Sequence, residues 1–121
     1  MGGGIFRLLP KGDPVSGMEP SNLTGPDSFT GADRGETIHE FFGVADGSVS
    51  VGVWLCAPSR EEIESYPVHE MMTVLEGAVT LTDADGKAHS FTAGDSFFVA
   101  KGTKCTWHIT ETLRKFYMSA A

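Results

Sequence analysis

No apolar run in this 121-residue chain approaches the ~20 residues that a membrane-spanning helix requires. Basic residues are scarce as well: nine Lys and Arg stand against 16 Asp and Glu, for a net charge of −7. That balance repels polyanions and acidic lipid surfaces, so neither nucleic acid nor a membrane is expected as a partner. Cysteine is limited to Cys56 and Cys105, in no CxxC spacing. Reduced thiols are expected, with a disulfide between them left open. A basic and apolar leader is missing from Met1 to Phe6, and Phe6 stands where a myristoylation signal needs Ser or Thr. A cytoplasmic location is the expectation. Helical periodicity of ordinary length is missing too, as is any internal repeat.

What is present reads as β structure. Hydrophobic residues make up 40 %, enough for one core at this length, and 15 Gly suit many tight turns. Residues 1–35 form an N-terminal arm rich in Pro, Gly, Ser and Asp, with a short apolar piece, Ile5 to Leu9, as a candidate edge strand. Residues 36–121 form the domain proper. There Val49, Val51, Val53 and Leu55 alternate with Ser50, Gly52, Trp54 and Cys56, the period of a strand. Asp46-Gly47, Asp85-Gly86, Gly94-Asp95 and Lys101-Gly102 mark turns. Strands are expected over Ile38 to Val44, Pro67 to Glu76, Val79 to Thr82, His89 to Thr92, Phe97 to Val99, Lys104 to Thr110 and Leu113 to Met118. Ser59 to Glu64 is expected to be a loop. About ten short strands point to an all-β jelly-roll barrel.

Two segments carry more specific information. One runs from Glu64 through Tyr66 and Glu70 to Gly77, the other from Gly94 through Gly102 and Cys105 to Trp107. Their spacing resembles the two motifs of the cupins, the RmlC-like double-stranded β-helix proteins. More narrowly the chain resembles the Cupin_3 group, on Gly52 to Trp54, Tyr66-Pro67, Glu70, Leu75 to Gly77, Gly94 to Ser96, Gly102, Trp107 and the closing Glu111 to Tyr117. That group includes the C-terminal cupin domain of (S)-ureidoglycine aminohydrolase. The resemblance implies a small-molecule site in the barrel mouth, and places the family's metal-ligand positions on Glu64, Tyr66, Glu70 and Cys105. None of the four is His. They would hold a divalent metal (manganese, or iron, nickel or zinc), and a site without any cofactor is also open.

Parity adds the lining. Tyr66, Val68, Glu70, Met72 and Val74 share one strand face, and Cys105, Trp107 and Ile109 share another. If the cupin alignment holds, these faces point inward. The expected pocket is therefore Tyr66, Glu70, Met72, Cys105 and Trp107, with Glu70 and Tyr66 as candidate catalytic residues. A buried Glu70 carboxylate requires a partner, whether a metal, Tyr66, a water or a ligand. His69, Met71 and Leu75 take the outer parity, where a second copy could cover them, and a homodimer is expected. Two functions follow. One is metal-assisted chemistry on a small, polar, nitrogen-containing metabolite, like the aminohydrolase. The other is a non-catalytic module that binds a ligand or dimerises without metal.

Overall fold

The structure, a computed structural model, describes residues 4–121. Among them eight strands form one antiparallel sheet rolled into the expected jelly-roll barrel: β1 Glu19–Pro20, β2 Glu36–Gly43, β3 Val49–Cys56, β4 Ser59–Ile63, β5 His69–Asp83, β6 Ala88–Thr92, β7 Ser96–Val99 and β8 Cys105–Ala120. The two long strands, β5 and β8, pair from His69↔Ala120 to Asp83↔Cys105. They carry both walls of the barrel. The first half of β5 and the second half of β8 lie in a sheet ordered β1-β2-β3-β8-β5-β7, and their other halves in one ordered β4-β8-β5-β6.

The bend between the two walls falls at register shifts between Val74 and Val79. Gly77 sits there at φ 87°, and a Cβ at this position would collide with the Thr112 carbonyl. Only glycine fits such a corner. This is why the separate strands expected on either side of Gly77 are one strand. The two expected over Lys104 to Thr110 and Leu113 to Met118 likewise merge into β8, so eight strands replace about ten.

Two further expectations are corrected. Ser59 to Glu64 is not a loop. Ser59, Glu61 and Ile63 turn inward, Arg60 and Glu62 turn out, and the segment pairs with β8 from Ser59↔Ile109 to Ile63↔Cys105. Cross-strand pairing outweighs the weak strand propensity of its charged residues. Nor is Ile5 to Leu9 an edge strand. Pro10 ends that piece, the chain turns through Gly12, and the arm instead pairs with β2 through Glu19↔Ile38 and Pro20↔Thr37.

The core is built by the inward parity of each strand. Trp54 and Cys56, Met72 and Val74, Val79 and Leu81, and Cys105, Trp107, Ile109 and Leu113 pack together with Tyr66 and Val99. Both cysteines are buried and free. No helix among the described residues is long and apolar enough to cross a membrane.

Candidate functional site

A cavity of about 640 Å³ opens at the mouth of the barrel, between β2, β3, β4, β5, β8 and the arm. Ile38, Ile63, Val68, Trp54 and Trp107 supply apolar walls. Two polar groupings interrupt them.

The first lies deep. Glu70 opens β5 with an inward parity, and Lys115 reaches it from β8, where it stands opposite Trp54 on one side and Val74 on the other. Lys115 Nζ donates to Glu70 Oε2 at 2.8 Å and lies 2.9 Å from Met72 Sδ. Its ammonium sits 4.8 Å from the ring centre of Trp54 and 4.7 Å from that of Trp107, a cation between two indole faces. Only 6 % of the Lys115 side chain and 12 % of Glu70 is exposed. Tyr66 completes the group by donating to Glu70 Oε1 at 2.8 Å. Its backbone is pinned on both sides, N–H to Thr103 O and O from Gly102 N–H. Burial, then the neighbouring Glu70 carboxylate, pushes the Tyr66 phenol far above its ordinary value, so it stays protonated.

The second grouping lies nearer solvent. Ser50 Oγ donates to Glu40 Oε2 at 2.6 Å and lies 3.3 Å from the Tyr117 hydroxyl. Gly52 makes room for it, since a Cβ there would strike the Tyr117 ring. Burial raises the Tyr117 phenol. The Ser50 hydrogen bond opposes this, and the charges of Glu40 and Glu70 add to it.

The arm closes one wall. The Glu36 carboxylate accepts from Ser21 Oγ at 2.7 Å, Leu23 N at 3.1 Å, Thr24 N at 3.0 Å and Trp54 Nε1 at 2.9 Å. One buried anion thus fixes both the Trp54 ring and the Leu23–Thr24 stretch that lines the cavity. Burial alone would raise its pKa. The donated hydrogen bonds outweigh that and hold it below the ordinary 4.5.

Against this geometry the residues expected from sequence divide. Tyr66, Glu70 and Trp107 line the cavity. Met72 is buried beneath Lys115. Cys105 is buried in the core rather than at the cavity wall, and burial, then the charge of Glu62, raises its thiol above the ordinary range. Glu64 is 82 % exposed and faces Lys104 at 3.7 Å on the surface. It follows directly on the end of β4 and is not among the residues that line the cavity.

The four positions implied as metal ligands therefore do not assemble. No group of three or more His, Cys, Asp or Glu that could hold a metal is found among the described residues. The donors present fit a divalent ion poorly: both Glu70 oxygens are engaged, the Tyr66 phenol keeps its proton, and the place beside them holds an ammonium.

Lys115, Glu36, Glu40 and Tyr117 were not singled out by sequence reasoning. A signal for Lys115 existed. The inward parity of Cys105, Trp107 and Ile109 continues through Leu113 to Lys115 and Tyr117, which puts a lone lysine among core positions.

Comparison with known proteins supports the fold and its grouping. The EutQ-like cupin domain of the Cupin_3 family matches residues 43–117, more than half of the chain. A protein of unknown function from Pseudomonas syringae pv. tomato, assigned to the DUF861 family, is similar at 28 % identity with a TM-score of 0.77. The similarity covers 90 % of this chain but only 46 % of that one, so this chain spans about half of its relative's length. A putative ethanolamine utilization protein Q from Salmonella typhimurium is similar in fold at 22 % identity and a TM-score of 0.62, covering 85 % of this chain and 96 % of that one. A DUF861 family protein from Thermotoga maritima is 34 % identical over 54 % of this chain and 73 % of its own, with a TM-score of 0.50. No curated protein matches.

Proposed function

We infer that this chain, which belongs to the EutQ-like cupin family, is a metal-free binder of a small organic molecule with an apolar body and a protonated nitrogen. The observation that carries this reading is the Lys115 ammonium, paired with Glu70 and set between Trp54 and Trp107, beside the Glu70 and Tyr66 positions where the resemblance implies a metal. An aminohydrolase-like reaction would need that metal, and Glu64 and Cys105 do not reach the cavity.

The ligand's charge follows from what Lys115 leaves over. Glu70 neutralises Lys115, and both tyrosines stay protonated. Glu40 and Glu61 also line the cavity, and neither forms an ion pair among the described residues. An uncompensated negative rim over aromatic and aliphatic walls favours a cation with an apolar body. Ser50 and the Tyr117 hydroxyl would orient its polar end, and the Tyr66–Glu70–Lys115 group would close the far end.

Titration calorimetry with phenethylammonium and with phenylpropionate tests this. The ammonium should bind, the carboxylate should not, and Glu40→Gln should weaken the ammonium about tenfold, the loss of one charge-assisted hydrogen bond. Preference for the carboxylate would overturn the reading.

A further inference from the structure

Five lysines stand in the sequence, and Lys115 is the buried one. The other four, Lys11, Lys87, Lys101 and Lys104, are exposed. A lysine ordinarily lays its stem on apolar surface and keeps its head in water. Here the head is enclosed, with 6 % of the side chain exposed, yet Lys115 still forms part of the cavity wall. Folding does not account for that placement, because two apolar residues of similar volume stabilise a core about as well as a buried ion pair does.

The surroundings of Lys115 suit another nitrogen cation better than they suit an ammonium. An ammonium has three N–H donors, and the full acceptor it meets here is Glu70 Oε2 at 2.8 Å. Met72 Sδ at 2.9 Å accepts only weakly. The Trp54 and Trp107 rings, 4.8 and 4.7 Å away, offer faces rather than lone pairs. A lysine iminium has a single N–H, which Glu70 alone satisfies. It is flat about its C=N bond and carries the same positive charge, so it keeps both the ion pair and the attraction of the two indole faces.

We propose that Lys115 condenses with the carbonyl group of a bound aldehyde or ketone to form such an iminium. Glu70 Oε2 takes one proton from the ammonium, and Tyr66 holds the other carboxylate oxygen at 2.8 Å. The freed lone pair bonds the carbonyl carbon, the C=O π pair withdraws to oxygen, and that oxygen takes the proton from Glu70. Nitrogen then gives Glu70 a second proton. The hydroxyl takes this proton and departs as water while the nitrogen lone pair closes C=N. Ammonium plus carbonyl has become iminium plus water, with the charge unchanged and Glu70 again a carboxylate. An enclosed lysine is the kind that takes this role, and enclosure also keeps bulk water from hydrolysing the product. The substrate class is then an amino aldehyde or amino ketone with an apolar body, its carbonyl turned inward and its protonated nitrogen toward Glu40. The protonated nitrogen rests on the reading of the negative rim given above, whereas the condensation at Lys115 does not.

Reductive trapping tests it. The wild-type chain is incubated at neutral pH with dilute 4-(dimethylaminomethyl)benzaldehyde and sodium cyanoborohydride, which reduces an iminium to a stable secondary amine, and peptide mass spectrometry locates the adduct. Lys115 should be labelled at least about tenfold faster than any of the four exposed lysines, because binding holds the carbonyl beside it. Phenethylammonium should slow labelling at Lys115 and leave the exposed lysines unaffected. Lys115→Arg, which keeps a cation for Glu70 but cannot condense, should lose the fast adduct; if that variant fails to fold, the phenethylammonium competition decides. Benzaldehyde, which lacks the ammonium, should label Lys115 about tenfold more slowly. Lys115 labelled no faster than the exposed lysines overturns the condensation, and the cation-binding reading survives that result if phenethylammonium still binds by calorimetry. Lys115 labelled equally fast by both aldehydes supports the condensation and overturns the cationic substrate class.

Discussion

The inner and outer faces of β3, β5 and β8 come from the same strands, one residue apart. Inside, the odd residues of β8 and the even residues of β3 and β5 bring Lys115, Tyr117, Trp54, Glu70 and Met72 together. Outside, their neighbours Met118, Val51 and Met71 form an apolar row. The usual order is reversed at the places that matter: a full ion pair is enclosed, and large apolar side chains meet solvent. Enclosed charge survives only because each partner is satisfied, Lys115 by Glu70, Met72 and two indole rings, Glu70 by Lys115 and Tyr66. Exposed apolar side chains carry no such requirement, since they leave no buried polar group unpaired.

The sharpest way to break this contrast is to remove one inner charge. Lys115→Met should cost about 3–5 kcal/mol by leaving the Glu70 carboxylate buried and unpaired, measured by chemical denaturation. Adding Glu70→Leu should recover most of that loss, because an apolar pair of similar volume substitutes well for a buried ion pair. If the single variant is as stable as the wild type, the pair is not enclosed as described.

A smaller effect is expected at Glu36. Glu36→Gln weakens the clasp on Ser21, Leu23, Thr24 and Trp54 and should cost about 1–3 kcal/mol near neutral pH. The sign of its pH dependence follows from its lowered pKa. The carboxylate's contribution is present above the unfolded value near 4.5 and is lost as pH falls through the still lower folded value. Wild-type stability should therefore fall more steeply on acidification than that of Glu36→Gln. Parallel acid profiles would show that Glu36 does not titrate as a clasp.

The smallest effect belongs to the outer face. Met71→Lys should change stability by less than about 0.5 kcal/mol, since the Met71 side chain is half exposed. A large loss there would mean that Met71 supports the fold itself.

Much of this was legible in the sequence because strand parity is a strict rule. The alternation of Tyr66, Glu70 and Met72 against His69 and Met71 gave the inner and outer faces correctly. Parity says which way a residue points and nothing about what meets it there. Two things therefore escaped: that Lys115 reaches Glu70 across 45 positions of sequence, and that Glu64, close to Tyr66 in the chain, faces Lys104 on the surface. Ser59 to Ile63 escaped for a related reason. Its charges read as a loop until β8 is present to pair with it. The Glu36 clasp depends on a long-range approach of the arm that no local pattern encodes.

The central claim is that an ammonium serves as the cation beside Glu70 and Tyr66. Its most direct test is metal content by elemental analysis on protein purified without a metal column, with manganese, iron, nickel and zinc added back separately. The account predicts no stoichiometric metal under any of these conditions. Close to one metal per chain in the wild type, lost in Glu70→Ala, would contradict it.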